Sequence, residues 1–191
     1  MATCLPRLLP WADQSKRDLV LGYAGTSKSR KQTGGCSCGQ VRYHYDAEPF
    51  IVHACHCTNC QCLTGSAFVI NIFVLEDAFY ITGPTKVKTL DSGSGRGREP
   101  HFCRESSTYL WSRYLLVPKG LVMVKGETLD NPNSVEPDVH ISVASTQPWL
   151  TLDEDATTFD GGHCNFTKVW LEDSIDRYKD ATGIDLREMF G

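Results

Sequence analysis

Ala54-Cys55-His56-Cys57-Thr58-Asn59-Cys60-Gln61-Cys62-Leu63-Thr64-Gly65-Ser66-Ala67-Phe68 is the stretch on which the reading of this chain turns. Three cysteines stand at 55, 57 and 60, and a fourth at 62. Cysteines this close make poor disulfides, because an extended chain sends neighbouring Cβ atoms to opposite sides. They can converge on a small soft cation if the backbone turns, and C-x-x-C is a common zinc half-site. Three thiolates on one loop leave a fourth corner for water, substrate or a distant residue. That open corner separates a catalytic zinc from a structural one. Cys62 reads as a buried or free thiol rather than a spare ligand.

The other cysteines extend the pattern. The chain has nine, an odd number, with Cys36 and Cys38 as a C-x-C pair and Cys103 far beyond them. In a reducing compartment such clustering means metal more often than disulfide. Cys4 and Cys164 stand alone and read as ordinary thiols. With 191 residues the default is one domain with extensions, and 41% hydrophobic residues suffice for a core. A net charge of −4 argues against nucleic acid as partner. No apolar run approaches the roughly 20 residues of a membrane span. Leu5, Leu8 and Leu9 are interrupted by Pro6, Arg7 and Pro10, unlike a secretory leader. The expectation is a soluble, cytoplasmic protein without nucleic-acid or membrane partners; an oligomer is left open.

Residues 1–33 read as an N-terminal extension, with a short helix over Trp11 to Tyr23 and a basic linker from Ser27 to Lys31. The domain spans 34–165. Strands are expected over Gln40–Tyr45, Phe50–His53, Ala67–Val74, Phe79–Thr82, Thr85–Leu90, Thr108–Trp111, Leu115–Pro118, Leu121–Lys125 and Val139–Val143. Asp91 to Gly97 is a mobile hairpin connection; it lacks the lysine of a phosphate-binding loop. A tail over 166–191 carries a helix from Glu172 to Thr182, with Ile175 and Tyr178 inward and Gly183 as its stop. Short strands with Gly/Pro turns point to a small, mainly β domain.

Several ordered pieces together carry a family resemblance. They are Gly34-Gly35-Cys36-Ser37-Cys38-Gly39-Gln40-Val41-Arg42-Tyr43, then Cys55-His56-Cys57-Thr58-Asn59-Cys60, then Thr64-Gly65-Ser66-Ala67-Phe68, then Phe102-Cys103. His140-Ile141-Ser142-Val143, Pro148-Trp149 and Phe159-Asp160-Gly161 look like the closing segment. Over about residues 34–162 the chain resembles the glutathione-dependent formaldehyde-activating enzyme family, seen also in the centromere protein V group. The resemblance implies a β-tent of the Mss4-like type, built of small antiparallel sheets. It implies a catalytic zinc on Cys55, Cys57 and Cys60, and a structural one on Cys36, Cys38, Cys103 and position 106. The implied reaction joins formaldehyde to glutathione, a carbon–sulfur lyase chemistry with glutathione as co-substrate.

Position 106 is serine, and a neutral hydroxyl is a weak zinc ligand. Three arrangements stay open there: three thiolates with water, His101 or Glu105; weak binding; or no metal. His56 is the candidate catalytic residue, as a proton shuttle beside a substrate thiol and carbonyl, with a structural role as its counterpart. Arg42, Arg96 and Arg98 could meet substrate carboxylates, although each reads first as a surface charge. Thr64-Gly65-Ser66 could bond thiolates through backbone N–H groups. Trp111 and Trp149 read as core. The alternatives to a lyase are a related enzyme turned to another small molecule in a biosynthetic pathway, and a non-catalytic zinc module binding glutathione or a protein.

Overall fold

The computed structural model describes residues 31–92, 95–115, 120–161 and 166–190. The helix expected over Trp11 to Tyr23, the linker, Cys4 and Cys164 lie outside them. Eleven strands are described: β1 (Gln32–Gly35), β2 (Arg42–Tyr45), β3 (Ile51–Cys55), β4 (Val69–Leu75), β5 (Phe79–Thr82), β6 (Thr85–Val87), β7 (Arg98–Cys103), β8 (Tyr109–Tyr114), β9 (Leu121–Lys125), β10 (Val139–Ile141) and β11 (Thr158–Phe159). Three α-helices accompany them: α1 (Thr58–Thr64), α2 (Glu172–Thr182) and α3 (Leu186–Phe190). The strand expected over Leu115–Pro118 is not separate at its start: β8 runs on to Tyr114, and 116–119 lie outside the described residues.

The strands form a three-stranded sheet, β1-β2-β5, and an eight-stranded one, β11-β10-β3-β4-β9-β8-β7-β6. The chain is therefore mainly β, but antiparallel pairing throughout is corrected at one edge. β10 runs parallel to both β3 and β11, with Cys55 opposite Ile141. The connection after β9 brings the chain back to enter β10 in the direction of β3. Two antiparallel hairpins could have paired through short turns; this parallel contact requires the longer crossover.

The central strands read as continuous apolar runs because both of their faces are covered. Side chains alternate between two cores, as period two dictates. Ile51, Phe73, Leu121 and Met123 point to one; Val52, Ile72, Val74, Val122 and Val124 point to the other. The second core is closed by Tyr43 and Tyr45 of the small sheet, with Phe79 and Ile81 packed against it. The first is closed by the C-terminal segment: Trp170, Ile175, Tyr178 and Leu186 pack with Phe50 and Phe73. Trp170 stacks on Phe50 at 5.8 Å between ring centroids and meets Phe73 edge-on. α2 ends at Gly183, whose φ of 73° and N–H bond to the Lys179 carbonyl form a left-handed cap. Trp111 is core, but Trp149 is not: it is 72% exposed, correcting the expectation. It follows Pro148 in a stretch without strand pairing, so no sheet face draws it inward.

Candidate metal centre

Cys55 ends β3, Cys57 lies just beyond it, and Cys60 is in the first turn of α1. The extended β3 would send their side chains apart, but the chain turns into a helix at Thr58. Cys57 is the N-cap, and its sulfur accepts from the Cys60 N–H at 3.4 Å. Gly65, at φ 67°, closes the seven-residue helix with its N–H on the Gln61 carbonyl. The three sulfurs thereby lie within 4.8 Å of one another, with Cys55 and Cys60 buried. Cys62, one helical step past the seam, is exposed and outside the group. The sulfurs shape one another's protonation. Hydrogen bonds from Cys55 and Cys60 hold the Cys57 thiol far below its ordinary value, against the opposing effect of burial, with Arg98 adding to the fall. The same bonds, and burial, push Cys55 up.

The second triad joins distant strands. Cys36 and Cys38 follow β1, and Cys103 ends β7. Their sulfurs are 3.4 Å apart for Cys36 and Cys38, and 3.7 Å for Cys38 and Cys103. These spacings are too long for disulfides, and the seven described cysteines are free thiols. They fit the edge of roughly 3.8 Å of a tetrahedron whose metal–sulfur bonds are about 2.3 Å. Burial raises the Cys36 thiol, yet the Val41 N–H at 3.1 Å and the neighbouring thiols bring it down to about 6. Both triads thus present the soft donors, at the spacing, that a zinc ion takes.

Ser106 sits beside Cys103, whose thiol it lowers by hydrogen bonding, and its hydroxyl lies 2.9 Å from Thr108 Oγ1. His101 and Glu105 do not join the group. His101 stacks on Trp111 with ring centroids 3.6 Å apart, and Glu105 is exposed.

A cavity of about 240 Å³ opens beside Cys55, Cys57 and Cys60. Its wall is the first-core face of the large sheet, where His53, Asn71, Met123 and Lys125 share the period-two side of Cys55. Arg98, Tyr109 and Ser112, from β7 and β8, also line it. The Arg98 guanidinium donates to Cys60 Sγ at 3.6 Å. Lys125 is buried and donates to Asn71 Oδ1.

His56 is elsewhere. Its ring is fully buried, packs on Phe68, and its Nε2 lies 3.0 Å from His140 Nδ1; it does not line the cavity. Arg42 pairs with Asp130 at the surface, Arg96 is exposed, and Arg98 alone of the three arginines turns to the sulfurs. Thr64 and Gly65 serve the helix: Thr64 Oγ1 donates to the Cys60 carbonyl and Gly65 caps it. That corrects the expectation that they bond thiolates. The triad loop is held instead by Gln61. Its amide donates to the carbonyls of His56 at 2.6 Å and Ser145 at 2.8 Å, and accepts from Gln147 at 2.6 Å. Sequence reasoning missed Asn71, Tyr109, Ser112 and Lys125; a polar residue within each apolar strand was the available signal.

A mainly β protein with two cysteine triads, one beside a polar-lined cavity, is the class that fold and site define. The family of the glutathione-dependent formaldehyde-activating enzyme matches residues 31–145, and the chain belongs to that family. A solved structure of a protein from Rhodobacter sphaeroides is similar over 53% of this chain and 93% of its own, at 19% identity and a TM-score of 0.41. No curated protein matches the sequence. Among the described residues, no helix is long and apolar enough to cross a membrane.

Proposed function

We propose that the protein is a zinc-dependent enzyme of the carbon–sulfur lyase type, acting on the adduct of a small thiol with a carbonyl compound, and folded as an Mss4-like β-tent. The observation that carries this is the convergence of Cys55, Cys57 and Cys60 on the wall of the cavity. Family membership supports a glutathione-related activity. Cys55, Cys57 and Cys60 would hold the ion, which supplies stabilisation of a thiolate at neutral pH.

In the forward direction the substrate sulfur bonds to the carbonyl carbon. The carbonyl π electrons move to oxygen, which takes the proton given up by the thiol; the reverse breaks the C–S bond. The chain's own residues orient these partners. Arg98, against Cys60, places positive charge where the reacting sulfur is anionic. The hydroxyls of Tyr109 and Ser112 are buried in the lining without a partner among the described residues, and are placed to donate to the carbonyl oxygen as it gains charge. His56, bonded to His140 and outside the cavity lining, takes a structural role rather than carrying the proton.

The test is exchange NMR on zinc-loaded protein with glutathione and formaldehyde. Adduct exchange above the uncatalysed rate, lost in Cys57→Ser, is expected. Zinc-replete protein that leaves the rate unchanged refutes the lyase reading; binding of glutathione without turnover then identifies a carrier.

A further inference from the structure

Lys125 is a buried cation in a wall that offers it no acid. It closes β9, is 3% exposed and lines the cavity beside Cys55, Cys57 and Cys60. Strand register pins it there. Lys125 lies opposite Asn71 on β4, and Asn71 lies opposite His53 on β3, two residues before Cys55. Its ammonium donates to the Asn71 amide oxygen and sits 4.6 Å from the centre of the Tyr109 ring. Arg98 reaches the same wall from β7, with a guanidinium nitrogen 3.6 Å from Cys60 Sγ. Among the described residues no carboxylate pairs with either cation. An amide oxygen and a ring face return less than the desolvation of a charge costs, so the balancing anions come from the site itself.

The triad supplies only part of them. Three thiolates around one divalent cation leave a single negative charge, against the two positive charges of Arg98 and Lys125. One more thiolate at the fourth corner brings the sum to zero, whereas a neutral ligand leaves one positive charge over. The Lys125 charge is felt at the sulfurs. The Cys60 thiol is raised on balance: hydrogen bonding with Cys55 lowers it, hydrogen bonding with Cys57 and burial raise it, and Lys125 adds a lowering pull. An ammonium that acts on Cys60 acts also on an anion bound beside it.

We infer that Lys125, together with Arg98, makes the open corner of the Cys55/Cys57/Cys60 centre selective for an anionic ligand, so that the substrate sulfur is held as a thiolate and the adduct is let go. This rests on the reading that the triad meets the substrate sulfur. Once that sulfur has bonded to the carbonyl carbon and the oxygen has taken the proton, the sulfur is neutral and the balance is lost. The selection is for the charge of the sulfur and places no demand on the rest of the thiol, glutathione included. Lys125 is then a residue that determines specificity for the form in which the thiol binds.

The experiment uses the full chain loaded with cobalt(II), whose thiolate charge-transfer absorption reports ligand exchange. Cys57→Ser protein is the blank for the Cys36/Cys38/Cys103 triad. Azide and imidazole are the probes at about pH 8, both small nitrogen donors, one anionic and one uncharged. Lys125→Met should weaken azide by at least about tenfold and imidazole by less than about twofold. Even ~10 Å away, at an effective dielectric of about 20, a unit charge changes anion affinity by roughly that factor. Asn71→Asp keeps an acceptor for the ammonium and neutralises it in place. It should lower the azide-to-imidazole ratio in the same way, and decides the matter if Lys125→Met fails to fold. A ratio that neither variant changes, or a loss shared equally by both probes, overturns the role of Lys125 and leaves the lyase reading standing. A wild-type cobalt spectrum that glutathione, azide and imidazole all leave unchanged overturns the open corner, and with it both readings.

Discussion

Asn71 and Lys125 face each other across β4 and β9, and the buried ammonium of Lys125 donates to the amide oxygen of Asn71. In a strand otherwise made of valine, isoleucine, phenylalanine and leucine, this amide is the protein's own partner for a buried cation. Asn71→Leu removes the acceptor and leaves the charge desolvated, so it should lower the unfolding free energy by about 1–3 kcal/mol in urea titrations. Adding Lys125→Met should restore part of that loss, because replacing both polar partners is cheaper than orphaning one. A double variant less stable than Asn71→Leu would mean that the pair does not act as a unit.

Completing the second triad should tighten it. Ser106 lies beside Cys103 and hydrogen-bonds to its thiol. Ser106→Cys offers a fourth thiolate where a neutral hydroxyl now stands. Zinc release to a chelator should slow and apparent affinity rise by at least about tenfold, as expected when a soft anionic ligand replaces a weak neutral one. Unchanged release would place the new sulfur outside the ligand set.

Gln61 makes three hydrogen bonds, tying the His56 carbonyl, Ser145 and Gln147 together behind the triad. Gln61→Ala should leave all three cysteines in place yet weaken zinc retention by roughly tenfold, in line with the loss of a supporting residue behind metal ligands. Metal content after dialysis against a weak chelator measures it. Circular dichroism should stay that of the parent.

Asp138 gives a pH-dependent test. Burial raises its carboxyl above the ordinary value, against the lowering effects of the Val52 N–H at 2.7 Å and of Arg177. The folded chain thus holds this proton at pH values where the unfolded chain has released it. The cost of keeping Asp138 charged is fully present above the folded pKa and disappears as pH falls below the unfolded value. Asn keeps an oxygen for the Val52 N–H and carries no charge. Asp138 is exposed, so solvent screens the effect, and Asp138→Asn should raise the melting temperature at pH 7 only by about a degree, with the gain shrinking towards pH 4. A gain that grew on acidification would reverse the assigned sign.

The sequence made the triads legible but not the cavity beside one of them. Cys55, Cys57 and Cys60 are local, so their spacing alone implies convergence once the chain turns. Cys103 joins Cys36 and Cys38 only through the pairing of distant strands, and the family pattern was needed to connect them. The turn itself was readable as a turn but not as α1, because seven residues with two cysteines and two threonines carry little helical preference. Arg98 looks like any charged residue after the glycine-rich loop; only the register of β7 against β8 turns it inward. Lys125 was visible at the end of Leu121–Lys125, but its burial depends on Asn71 in the neighbouring strand. Trp149 failed in the opposite sense: its size suggested core, and the absence of strand pairing around it left it outside.

The two triads differ in how much chain each would tie together. A metal clip between Cys36 and Cys103 closes a loop of 67 residues, whereas one between Cys55 and Cys60 closes only a handful. In a chain-entropy treatment of cross-links the first restricts the unfolded chain by about 4 kcal/mol and the second by about 2 kcal/mol. A metal in the wide clip would thus fasten the architecture, and one in the narrow clip would add less to the fold.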